Sequence, residues 1–146
     1  MKNLLANSSG KSFITIMVVI AFSALALRFT IDKLIKLSIN QNESSAWETL
    51  KLISAAFENY AKDNNSAYPV NISALINSQP PYLDKDYIKQ SPLMGYIKGY
   101  NYNCSRIEAA GYSCSAVPVK CGLTGKNIYN IITGGLLISE ECDKKE

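Results

Sequence analysis

An α+β fold, one long N-terminal helix packed on a small antiparallel sheet near the C-terminus, follows from three features of the sequence. No proline occurs before Pro69, and apolar residues recur at helical spacing up to that point. Four of the five prolines crowd into residues 69–92, the mark of a connecting segment. Beyond Gly95 the apolar period changes from about 3.6 to 2. At 146 residues, 47% of them apolar, the chain suits one core rather than two and is no disordered or collagen-like polymer.

The helix is expected from about Ser12 to about Asp63. Its first half, Phe13 to Leu27, has no charge, proline or glycine. That stretch rises only about 22 Å, and continuing through Ile31 past a snorkelling Arg28 brings it to the ~30 Å of a hydrocarbon core. From Ile31 the apolar residues Leu34, Ile35, Ile39, Trp47, Leu50, Ile53, Phe57, Tyr60 and Ala61 form one stripe, with Lys51, Glu58, Lys62 and Asp63 off it. Asn40 to Ser45 is the part of lowest propensity, which leaves room for a bend. A secretory signal peptide cut after Ala24-Leu25-Ala26 is the competing interpretation, but the helical pattern runs on past that site.

A short amphipathic piece is expected at Ile72 to Ile76. Strands are expected around Tyr96 to Cys104, Tyr112 to Pro118, Asn127 to Ile131 and Leu136 to Ser139, the last two joined by the turn Thr133-Gly134-Gly135. The alternating tyrosines, Tyr96, Tyr100 and Tyr102, should pack this sheet on the helix and keep their hydroxyls at its edge.

Charge excludes several functions. The net +3 belongs entirely to Lys2, Lys11 and Arg28, since residues 29–146 hold 12 basic and 12 acidic groups. A neutral body cannot displace the counterions of nucleic acid, so no nucleic-acid partner is expected. The lysines before the apolar run place the N-terminus in the cytoplasm and the body outside. There is no histidine, which removes the usual general base and metal ligand. Asp84, Asp86, Glu140 and Glu141 read as solvated loop charges, and Gly122 to Lys126 as a turn rather than a phosphate loop. An enzyme, a cofactor and a metal site are therefore not expected.

Cys104, Cys114, Cys121 and Cys142 permit three pairings. Their spacings lack any C-x₂₋₄-C pair, which disfavours zinc. A turn centred near Ala109 sets Cys104 opposite Cys114, leaving Cys121 to join Cys142 and close the last hairpin.

The stretch Gly10-Lys11-Ser12-Phe13-Ile14-Thr15-Ile16-Met17-Val18-Val19-Ile20 resembles the start of bacterial type IV pilins and type II secretion pseudopilins. There a glycine precedes Phe-Thr-Leu-Ile-Glu-Leu-Met-Val-Val-Ile. Gly10, Ile14 and Met17 to Ile20 match outright; Ser12, Phe13 and Ile16 match in kind. Tyr68-Pro69, the Leu75 region, Tyr82-Leu83, Gly99 to Tyr102 and Gly111 to Pro118 follow the order of the short, pseudopilin-like pilins, so the likeness covers nearly the whole chain.

The resemblance implies a leader at residues 1–10 cut after Gly10 by a prepilin peptidase, a membrane half of the helix at 11–31, and a pilin-like extracytoplasmic domain at 32–146. It implies insertion in the inner membrane, an assembly platform there, and other pilin or pseudopilin subunits as partners through the N-terminal helix. Three positions depart from the family. Lys11 replaces the Phe that follows the cut, Thr15 replaces a Glu that neutralises a neighbour's terminal amine, and Asp32 stands where a Pro is common. An unpaired ammonium buried in a filament is costly. The departures therefore imply a minor tip or priming subunit, or else an uncleaved single-pass anchor displaying a small binding domain.

Overall fold

The structure, a computed structural model, describes residues 8–88, 98–108 and 111–142. It is α+β: a long N-terminal helix packed on a four-stranded antiparallel sheet. The chain divides into two compact units, Met1–Lys36 and Leu37–Glu146.

Helix α1 spans Ser8–Asp63 and supplies nearly all the described part of the first unit. In the second unit its buried line is Ile39, Ala46, Leu50, Ile53, Phe57 and Ala61, spaced by sevens, fours and threes. Trp47 was expected on this stripe, yet it is 40% exposed. One residue past Ala46 rotates it about 100° off the line, and Lys51, one turn on, sets its ammonium 3.5 Å over the ring.

The low propensity of Asn40 to Ser45 does not interrupt α1, which is helical throughout this segment. Its polar side chains instead bond to the loop before the third strand. Asn42 Nδ2 donates to Thr124 O at 2.9 Å, while Glu43 Oε1 accepts from Lys126 N at 2.8 Å. α1 ends where Asn65 and Ser66 turn left-handed, at φ 54° and 64°, and Ser66 N donates to Ala61 O.

Helix α2 (Ile72–Asn77) is capped by Asn71, whose side chain accepts from Ala74 N, and it buries Ile72 and Leu75. Leu75 O then accepts from both Tyr82 N and Leu83 N, which brings Leu83 into the core behind the two prolines.

Strands β1 (Tyr100–Glu108), β2 (Gly111–Pro118), β3 (Asn127–Ile132) and β4 (Leu136–Glu141) form a meander in chain order. Tyr96 and Ile97, expected in the first strand, lie outside the described residues. The inner face carries Tyr100, Tyr102, Tyr112, Cys114, Ala116 and Ile131, all in one core with Leu50, Ile53 and Phe57 of α1. Phe57 and Tyr112 stack with ring centroids 4.5 Å apart.

Two details differ from expectation. Glu108 pairs with Gly111, so the connection is centred between residues 109 and 110, not on Ala109. That register alone would set Cys104 opposite Ser115. An irregularity between Cys104 and Arg106 shifts the ladder by one and returns Cys104 to Cys114. The Tyr102 hydroxyl is not at the sheet edge either: it is buried without a hydrogen bond of good geometry, with Thr49 of α1 beside it.

Candidate functional site

Two regions have distinctive chemistry, one in each unit.

In the first unit, every residue from Phe13 to Leu34 is exposed, and between Phe13 and Ile31 these include twelve large apolar side chains. Covering each one fully is worth about 1.5–3 kcal/mol, so this surface left in water is strongly unfavourable. Mean hydropathy reaches 2.2 here, and the helix is long and apolar enough to cross a membrane. Ser23 Oγ donates to Ile20 O at 2.9 Å and Thr30 Oγ1 to Ala26 O at 2.8 Å. Hydroxyls that bond back to their own helix present no unmet donor to a hydrocarbon surround. Thr15 is exposed on this stretch. Gly10 and Lys11 also fall within α1, although the Lys11 side chain is outside the described residues.

In the second unit the four cysteines form two disulfides, Cys104–Cys114 and Cys121–Cys142. The first joins residues directly opposite in β1 and β2; the second ties the loop before β3 to the residue after β4. No group of metal-binding side chains occurs among the described residues.

Glu58, which the periodicity places off the buried stripe, is the hub of a polar cluster between α1 and the sheet. Its Oε1 accepts from Tyr112 Oη at 3.0 Å and from Gly134 N at 2.7 Å, and its Oε2 accepts from Tyr68 Oη at 3.0 Å. Ser54 Oγ lies 2.7 Å from Tyr112 Oη. Tyr112 has one proton and gives it to Glu58, so Ser54 is the donor in that pair. Gly134 adopts φ 83°, the left-handed backbone with which the turn presents its N–H to the carboxylate. No periodicity rule reveals this cluster; the only hint is an acid beside a buried Phe. Its members satisfy one another and brace α1 against the sheet.

A cleft of about 300 Å³ opens beside Asn71, Ile72, Asp86, Ile88, Cys104 and Ile107. Asp86 Oδ1 accepts from Ile88 N there, so one of the acids expected to be solvated helps order its loop. Asp84 similarly accepts from Tyr87 Oη at 2.8 Å.

Burial raises the Tyr112 phenol well above its ordinary value, and Glu58 adds to the shift while Ser54 opposes it. A folded-state pKa raised above the unfolded one gives stability that is complete below about pH 10 and lost as pH rises beyond it. Urea titrations between pH 8 and 11.5 should show that loss. Tyr112→Phe, though less stable at neutral pH, should lose stability less steeply above pH 10; an unchanged slope would exclude Tyr112 as its source.

The chain matches no protein-family model, no curated protein and no solved structure.

Proposed function

We propose that this chain is a membrane-anchored minor subunit of a type IV pilus or type II secretion-like filament, acting at the tip or in priming. The observation that supports it is a wholly exposed apolar helical segment continuous, in one helix, with the segment that buries Leu50, Ile53 and Phe57 in a disulfide-bonded body. Greasy helices of this kind can exchange lipid for one another, with no catalytic group required. The body lies on the extracytoplasmic side, where disulfides persist, and the N-terminus is cytoplasmic. Prepilin peptidase, the assembly platform and other subunits are its partners.

Lys11 and Thr15 support the minor role. A lysine at the new terminus and no carboxylate at the fifth place leave an ammonium that a filament interior would bury at a cost of several kcal/mol. A tip subunit has one side without a neighbour. The same Lys11 favours a second reading, an uncleaved anchor with a displayed domain.

Gel mobility in cells with and without a prepilin peptidase separates the two. Wild type should shorten only when the peptidase is present, by the mass of ten of the 146 residues of this 16.0 kDa chain, about one kilodalton, and Gly10→Val should stay full length. If wild type also stays full length, the filament reading fails and the anchor stands.

A further inference from the structure

We propose that the last turns of the first unit, Leu27 to Lys36, form a binding surface for anionic phospholipid headgroups of the outer leaflet. This rests on the membrane reading above and adds a ligand class to it.

Projected at 100° per residue, Arg28, Asp32, Lys36 and Lys33 fall within an arc of about 140°, while Leu27, Ile31 and Leu34 cluster within about 60° on the other side. The three apolar residues are 63%, 54% and 60% exposed. All four charged residues are exposed as well. The stretch thus has one greasy face and one face that carries the three cations and Asp32 around an exposed Phe29, a pattern suited to the boundary between acyl chains and headgroups.

Depth supports the same assignment. From Phe13 to Lys33 an α-helix rises about 30 Å, the thickness of the hydrocarbon core. Lys33 and Lys36 then stand at the phosphates, and Arg28, about 7 Å lower, reaches them by snorkelling. Phe29, one turn below Lys33, meets the upper acyl chains. Three cations against Asp32 leave a surplus whose complement is a lipid phosphate without a choline of its own.

The test uses the full chain in vesicles of phosphatidylcholine with about 30% phosphatidylglycerol, a composition chosen so that each cation contributes on the order of 1 kcal/mol. Both disulfides occupy all the cysteines, so Leu34→Cys accepts a fluorophore selectively. Its quenching by head-group nitroxide is compared for spin-labelled phosphatidylglycerol and spin-labelled phosphatidylcholine. The glycerol lipid should quench more strongly. Each of Lys33→Gln and Lys36→Gln should lower that preference by roughly fivefold, and Asp32→Asn should raise it. Equal quenching by the two lipids would overturn the proposal, and so would a label shielded from both lipids that transfers energy to a second labelled copy. A label at Phe22→Cys separates the two readings. If it resists aqueous iodide while Leu34 shows no lipid preference, only the headgroup site fails. If iodide reaches it, the membrane reading fails as well.

Discussion

Reducing both disulfides should unfold the sheet while leaving the membrane half of α1 helical. The loops they close span 10 and 21 residues, and closing loops of that size in the unfolded chain is worth about 3 kcal/mol each. Together, about 6 kcal/mol is comparable with the ~5–15 kcal/mol that holds a whole domain. The two bonds are unequal in what they protect. Cys104–Cys114 links residues already opposite in a tight hairpin, with neighbours such as Asn103 and Ser115 paired beside them. Cys121–Cys142 holds the far end of β4, an edge strand whose residues are mostly exposed. Cys121→Ser with Cys142→Ser should therefore loosen β4 first, with amide exchange rising there before the rest of the sheet. Near-UV circular dichroism of the detergent-solubilised chain, dominated by tyrosines such as Tyr112 stacked on Phe57, should collapse on reduction. An unchanged melting temperature after reduction would show that the bonds do not contribute.

How far the sequence foretold this body depends on what kind of signal each element sends. β2, β3 and β4 were legible to within about two residues because alternation and a Thr-Gly-Gly turn are local facts. The end of α1 was legible because asparagine, here Asn65, tolerates left-handed backbone better than most residues. Contacts between distant residues were not. Asn42 looked like a weak helix former, but its role, like that of Glu43 beside it, is set by Thr124 and Lys126, more than eighty residues away. Glu58 looked solvated because periodicity reports which side a residue faces and not how far a carboxylate reaches. Tyr102 was expected to keep its hydroxyl wet, yet the helix covers it beside Thr49. The cysteine pairing emerged correctly from a turn placed half a residue off, because an irregularity at Ser105 compensates. In the first unit the signal was composition alone, and composition is also what the exposed helix displays.

Gly125→Ala should be among the most damaging single substitutions in the body, for a reason the backbone does not reveal. A Cβ at that position would meet the Tyr100 ring, with Cζ at 2.5 Å and Cε2 at 2.7 Å, and would overlap its hydroxyl. Tyr100 cannot swing aside. It is 1% exposed, sits 6.1 Å from the Tyr129 ring, and donates from Oη to Asn127 O at 2.8 Å. Displacing the ring would also disturb the loop that Glu43 and Cys121 hold. Overpacking of a rigid core costs about 1–3 kcal/mol, and losing the Tyr100 hydrogen bond adds about 1 kcal/mol. Gly134→Ala provides the contrast. There a Cβ meets nothing within 4 Å, but φ is 83°, so only backbone strain of about 1 kcal/mol applies. Denaturant midpoints for the two variants should differ by a factor of about three in lost stability. Combining Gly125→Ala with Tyr100→Phe removes the worst overlap, so the pair should lose less than the sum of the two single changes. Strict additivity would mean that the alanine acts elsewhere in the loop and not through the ring.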